Sequence, residues 1–196
     1  MNTKIKKIIS VVVAMALVCA VSVASTLALL KAESNSVTNT FVPTPTLMDD
    51  NSKFTLTADV SLNVIPLQSI TPTAKMSTGK FLTDGVVYLE VVETDTDNII
   101  EYTIDANWKE LTGKTGKYGG QLYVYKPSSY VVAKETTLSN VAIFSGNITV
   151  SDYETATETP TIKLYGYAVQ SLYKADQTVV SDDATAYEAW NIVWGA

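Results

Sequence analysis

The chain has 196 residues, with 14 lysines against 20 aspartates and glutamates, and it contains neither histidine nor arginine. The lack of histidine excludes Ser-His-Asp and Cys-His catalytic sites and the usual histidine-based metal sites. The lack of arginine removes the bidentate contacts that dominate phosphate and guanine recognition. Nucleic acid is therefore not an expected partner.

The N-terminus has the layout of a secretory signal peptide, predicted here as residues 1–28. Three lysines precede a long uncharged apolar run, and small residues permit cleavage after Ala28, or alternatively after Ala24. A retained membrane anchor is the competing interpretation, because the run is long enough to span a bilayer. Cleavage after Ala28 removes three lysines and the single cysteine, Cys19, so 11 lysines face 20 acids and the formal charge becomes −9.

The rest of the chain is predicted to be an extended N-terminal arm, residues 29–46, followed by one domain, residues 47–196. Alternating apolar residues rich in Val, Thr and Tyr predict a mainly β fold, a jelly-roll-like β-sandwich with one or a few short helices. The strands are expected at residues 54–60, 86–92, 99–104, 122–132, 141–150 and 162–173. Pro127 marks a bulge or an edge within the fourth of them.

One short helix is expected near the C-terminus. Asp182 and Asp183 precede an alanine- and tyrosine-containing segment, residues 184–190. Acidic residues at this position suit a helix N-terminus, because their side chains accept hydrogen bonds from the first free N–H groups and favour the helix dipole.

Four features of the sequence are candidate chemical sites. Gly113-Lys114-Thr115 lacks the earlier glycine of a phosphate-binding loop, and the stretch through Gly120 is predicted to be a hairpin loop. Asp95-Thr96-Asp97-Asn98 lacks the glycine and distal glutamate of a calcium loop and is interpreted as a solvated turn.

Glu90 and Glu93 would form an acid/base pair only if the fold brought them together. The tyrosines of residues 122–132 are expected to pack across strands rather than to bind carbohydrate. No catalytic residue, cofactor or metal is predicted.

Several short motifs resemble one family. Ser25-Thr26-Leu27-Ala28, the segment from Glu33 to Phe41, and the later segments around Trp108, Glu135–Val141 and Tyr187-Glu188-Ala189-Trp190 are similar to the TasA and camelysin family. The family usually has an aromatic pair after the cleaved Ala and a Gly-rich turn after Asn-Thr-Phe, whereas this chain has Leu29-Leu30 and Val42-Pro43.

The resemblance implies a jelly-roll subunit that a SipW-type signal peptidase releases and that forms fibres of the biofilm matrix in Gram-positive bacteria. It further implies a secreted location, in the extracellular matrix or at the cell surface, with the chain itself as partner and an accessory matrix or anchoring protein as a second one. Two alternatives stay open: a camelysin-like cell-surface metalloprotease, and an adhesin that binds carbohydrate or host protein.

The arm suggests how such subunits would join. Val37, Asn39 and Phe41 fall on one side of an extended chain, and Thr38, Thr40 and Val42 fall on the other. An open sheet edge of another subunit would offer the backbone groups that such a strand needs. The contact joins two different surfaces, so it repeats head to tail into an open filament. Pro43 and Pro45 should end the donated strand.

Overall fold

The computed structural model describes residues 31–34, 47–57, 69–95, 99–150, 161–172 and 178–195. The described residues form these strands, in chain order: β1 Lys31–Ser34, β2 Thr55–Thr57, β3 Ser69–Ile70, β4 Lys75–Ser77, β5 Gly85–Thr94, β6 Ile100–Glu101, β7 Trp108–Thr115, β8 Gln121–Tyr125, β9 Val141–Ala142, β10 Ile148–Val150 and β11 Thr161–Gln170. A short 3-10 helix, Asn51–Lys53, precedes β2, and one α-helix, α1, spans Asp183–Trp194.

The strands lie in three antiparallel sheets. The largest has five strands in the order β1-β11-β5-β8-β7, and the two smaller ones have the orders β3-β10-β6 and β2-β4-β9. Strand β5 is at the centre of the large sheet and reads Gly-Val-Val-Tyr-Leu-Glu-Val-Val-Glu-Thr, with its first seven residues buried. Such a continuous apolar run is typical of a strand that is covered on both faces.

Both faces of the large sheet are covered, by different elements. One face packs against the small sheets in a core that contains Val87, Leu89 and Leu164 from the large sheet and Leu56 and Met76 from the small ones. The other face packs against α1 in a second core of buried residues: Val86, Tyr88, Leu122, Val124, Tyr167, Ala186, Ala189, Trp190 and Trp194. The prediction of a mainly β fold with a short helix is confirmed, and the facing sheets agree with a β-sandwich.

Helix α1 begins where its sequence predicts. The Asp182 side chain accepts a hydrogen bond from the Thr185 backbone N–H, and the Thr185 hydroxyl oxygen accepts one from the Asp182 backbone N–H. This capping box satisfies N–H groups that the first helical turn leaves free. The helix ends four residues later than the sequence indicates, and its apolar stripe of Ala186, Ala189, Trp190 and Trp194 is buried.

Several strand predictions need correction. The expected strand 122–132 ends at Tyr125, and residues 126–132 form no strand, because a proline at position 127 cannot donate a ladder hydrogen bond. The expected strand 141–150 is divided into β9 and β10 by a turn in which Gly146 has φ 82°. Strand β7 was not predicted, and its last three residues belong to the stretch assigned to a hairpin loop.

Candidate functional site

The outer edge of β11 holds a strand from the N-terminal arm. Strand β1 runs antiparallel to β11, with Lys31 opposite Val169 and Ser34 opposite Gly166. It forms one edge of the large sheet, while the other side of β11 pairs with β5 over all ten residues. The arm therefore supplies a strand to this edge, although β1 and β11 are far apart in the sequence.

The residues predicted to drive assembly lie next to this strand in the sequence. Val37, Asn39 and Phe41 begin three positions after Ser34, and they lie outside the described residues, as does the predicted cleavage site at Ala28. Their assignment stays a prediction. Strand β1, which comes before these residues in the arm, nevertheless shows that this part of the arm contacts the β11 edge of the large sheet.

A buried carboxylate lies on the helix-side face of the large sheet, beneath the hairpin that joins β7 and β8. Glu90 of β5 is completely buried. Its Oε1 accepts hydrogen bonds from the backbone N–H groups of Tyr118 at 2.7 Å and Gly120 at 2.9 Å. Its Oε2 accepts one from the hydroxyl of Tyr167 at 2.5 Å. Converging backbone N–H groups of this kind form an anion-binding concavity, here occupied by the protein's own side chain.

The same hairpin reaches across β5 to β11. The ring of Tyr118 stacks on that of Tyr165 in β11, with centroids 4.2 Å apart and planes inclined by 27°. The Tyr118 side chain is nevertheless 43% exposed. Gly116 lies directly against the Glu90 carboxyl group, where a Cβ atom would overlap it. Together, these contacts fix the hairpin tip next to β11.

The opposite edge of the large sheet is strand β7, and its pairing with β8 is irregular. The register between β7 and β8 shifts between Glu110 and Thr115, and Gly113 within that interval has φ 71°, in the left-handed region that favours glycine. Irregularities and lysines on an edge strand disfavour pairing with another chain. The β7 edge is therefore less suited to strand addition than the β11 edge.

Helix α1 is joined to β7 by a polar cluster. Lys109 contacts Asp183 at 2.7 Å and donates to the Tyr130 hydroxyl at 3.1 Å, and that hydroxyl donates to Asp183 at 2.6 Å. The hydrogen bond to Asp183, followed by the one to Tyr130, raises the pKa of Lys109. Burial, followed by the hydrogen bond to Asp183, raises the pKa of Tyr130. Burial opposes ionisation of Asp183, yet the hydrogen bonds from Lys109 and Tyr130 lower its pKa overall. The cluster positions α1 over the sheet.

The structure separates the two carboxylates considered for acid/base catalysis. Glu90 and Glu93 stand three residues apart on β5 and so point to opposite faces of the sheet. Glu93 is exposed and accepts a hydrogen bond from the Tyr102 hydroxyl at 2.9 Å, whereas Glu90 is enclosed by the hairpin. They do not form a pair.

Of the segment considered as a calcium loop, Asp95 is described and residues 96–98 lie outside the described residues. The Asp95 side chain accepts a hydrogen bond from the Ile100 backbone N–H at 2.8 Å. Tyr123 and Tyr125 are partly buried against the first core, and Trp108 meets Tyr125 edge to face, so cross-strand packing accounts for them. Within the described ranges, no group of three or more His, Cys, Asp or Glu residues is placed to hold a metal ion. No helix in the described part of the chain is long and apolar enough to cross a membrane.

Comparison with known protein families, curated proteins and solved structures finds no match. The site therefore has to be interpreted from its own geometry. Sequence reasoning named Glu90 only as a possible acid/base residue and missed its contact with the hairpin. The signal that could have indicated this contact is an acid inside an otherwise apolar run, followed by the four glycines of residues 113–120.

Proposed function

We propose that this chain is a secreted structural subunit of extracellular biofilm-matrix fibres, and that it polymerises by N-terminal strand donation. The observation that carries the proposal is the pairing of β1 with β11 at the edge of the large sheet. A strand from the arm fits this edge within one chain. The same backbone hydrogen bonds form equally well when the arm belongs to a neighbouring subunit.

The two edges of the large sheet differ, and this difference gives the proposed strand donation a direction. The β11 edge accepts an arm strand, while the β7 edge carries the bulge at Gly113 and the lysine-linked helix α1. An arm donated to β11 leaves the recipient's own arm available for the next subunit. A contact of this kind repeats head to tail and builds an open filament rather than a closed dimer.

The resemblance to the TasA and camelysin family supports the same function and extends it to a jelly-roll strand order, release by a SipW-type signal peptidase and an accessory anchoring protein. The mature chain has no cysteine if cleavage follows Ala28. Cohesion of the fibre would then depend on strand pairing and side-chain burial alone.

Electron microscopy of the purified mature chain tests the proposal. The wild-type chain should form fibres, and the double variant Val37→Asp and Phe41→Asp should remain monomeric, because charged side chains would replace the apolar residues on one side of the arm. The matched control is Thr38→Asp with Thr40→Asp, which adds the same charge on the other side. Fibres of normal abundance from the first variant, or monomers alone from the wild type, would contradict strand donation.

A further inference from the structure

A surface groove lies beside the segment that follows strand β8. It has a volume of about 190 Å³, and all the residues that line it belong to the described part of the chain. Its walls are mostly apolar and carry hydroxyl groups, and the residues that matter here are Tyr125, Pro127, Val131, Leu138, Ser128 and Thr136. An aromatic ring, apolar walls and hydroxyl donors suit a proline-rich segment, because the backbone carbonyls of such a segment have no internal hydrogen bonds.

One proline-rich segment of the chain ends close to this groove. Pro43-Thr44-Pro45 ends two residues before Leu47, which is completely buried. The Leu47 carbonyl accepts a hydrogen bond from the Leu82 N–H at 2.9 Å. On the other side of the same segment, the Phe81 N–H donates to the carbonyl of Thr136 at 2.9 Å. Leu47 is therefore two strand spacings away from a residue that lines the groove.

The proline-rich segment is long enough to enter the groove. Neighbouring strands lie about 4.8 Å apart, so the two spacings between Leu47 and Thr136 amount to about 10 Å. A proline-rich chain rises about 3.1 Å per residue, so the chain from Leu47 back to Pro43 spans about 12 Å. Pro43 therefore reaches the groove while Leu47 keeps its hydrogen bond to Leu82.

We propose that this groove binds the Pro43-Thr44-Pro45 segment of the same chain, and that it fixes the point where the N-terminal arm leaves the domain. The segment itself lies outside the described residues. Its prolines have no N–H to offer to a sheet, so it forms hydrogen bonds through its carbonyls, with the hydroxyls of Ser128 and Thr136 as donors. The connection to Leu47 keeps the segment at a high effective concentration near the groove. The inference does not depend on strand donation, because the contact lies within one chain.

The direction of β1 disfavours the arm of a second copy as the occupant. Val132, which also lines the groove, pairs with Gly85, and Gly85 stands opposite Gln170 at the end of β11. Strand β1 begins near this end, at Lys31, and runs away from it towards Gly166. The later residues of a donated arm therefore move away from the recipient's groove.

Disulfide trapping tests the contact in the mature chain, which has no other cysteine if cleavage follows Ala28. The test pair is Thr44→Cys with Ser128→Cys, and the control pair is Thr44→Cys with Ser145→Cys, at an exposed serine outside the groove. Each reduced variant is oxidised in dilute solution, and the loss of free thiols and the mobility on a non-reducing gel are followed. The test pair should close within the chain about tenfold faster than the control pair, because docking raises the effective concentration of the two thiols.

A further substitution, Ala133→Phe, fills the groove from its exposed rim. Added to the test pair, it should slow disulfide closure to the control rate while the unfolding temperature stays close to that of the wild type. Pro43→Ser with Pro45→Ser should slow closure in the same way. Equal closure rates of the test and control pairs, or disulfides that form between chains instead of within them, would overturn the assignment and leave strand donation standing. A wild type without fibres would contradict strand donation and leave this contact standing.

Discussion

Gly116 lies against the carboxyl group of Glu90 so closely that any side chain at position 116 would collide with it. This contact brings the tip of the β7–β8 hairpin down onto β5, where the Tyr118 and Gly120 N–H groups reach the buried carboxylate. A surface hairpin is thereby joined to the centre of the large sheet.

The first prediction is that Gly116→Ala displaces the hairpin. The added methyl group must move Glu90 or the turn, and such overpacking should lower the free energy of unfolding by about 1–3 kcal/mol. Hydrogen exchange at the Tyr118 and Gly120 amides should become faster. The control is Gly119→Ala, where a Cβ meets open space and the cost of about 1 kcal/mol comes from the left-handed backbone alone, φ 82°. Unchanged amide exchange in Gly116→Ala would contradict the described hairpin contact.

The second prediction concerns the carboxylate itself. Glu90→Ala leaves two backbone N–H groups and the Tyr167 hydroxyl without their acceptor, and each buried unsatisfied donor costs about 1–3 kcal/mol. We expect Glu90→Ala to be more destabilising than Glu90→Gln, which retains one acceptor oxygen for the hairpin. Denaturant unfolding of both variants measures the difference. Equal stability of Glu90→Ala and the wild type would show that the carboxylate does not hold the hairpin.

Parts of this architecture can be predicted from the sequence, and the reasons differ from element to element. Strands β5 and β11 are rich in apolar and β-branched residues, and α1 carries a recognisable capping residue, Asp182. Strand β7 escapes prediction because it is an edge strand, exposed over its last four residues, with a bulge that breaks its alternation. The role of Glu90 depends on a turn that lies far along the chain, and an acid inside an apolar run does not by itself identify which distant segment provides its hydrogen bonds.

The third prediction concerns alkaline pH. Burial, followed by the charges of Glu110 and Glu93, raises the pKa of Tyr123 from its ordinary value of 10.0 to about 12. The folded pKa exceeds the unfolded one, so the contribution of Tyr123 to stability is complete below pH 10 and is lost as the pH rises towards 12. In Tyr123→Phe, the alkaline absorbance titration should lack one tyrosine that ionises near pH 12. Loss of a tyrosine that ionises near pH 10 instead would contradict its burial.

The fourth prediction concerns the attachment of α1. Trp190 is buried against Tyr167, with ring centroids 6.1 Å apart, whereas Ile192 on the same helix is 44% exposed. Trp190→Ala should lower the free energy of unfolding by about 3–5 kcal/mol, because it leaves a cavity in the second core. Ile192→Ala should change it by less than about 0.5 kcal/mol. Similar effects of the two substitutions in guanidinium unfolding would mean that α1 does not pack through its tryptophans.

Strand donation is tested most directly by a disulfide between β1 and β11. Ala32 and Ala168 stand directly opposite each other in the two strands, and opposed Cα atoms in an antiparallel pair lie about 4.5–5.5 Å apart, within the range of about 4.4–6.8 Å that a disulfide bridges. The mature double variant Ala32→Cys and Ala168→Cys is assembled under reducing conditions, oxidised as fibres and run on a non-reducing gel. Donation between subunits predicts a ladder of covalent multimers that collapses on reduction. Abundant fibres whose disulfides all lie within single chains would contradict it.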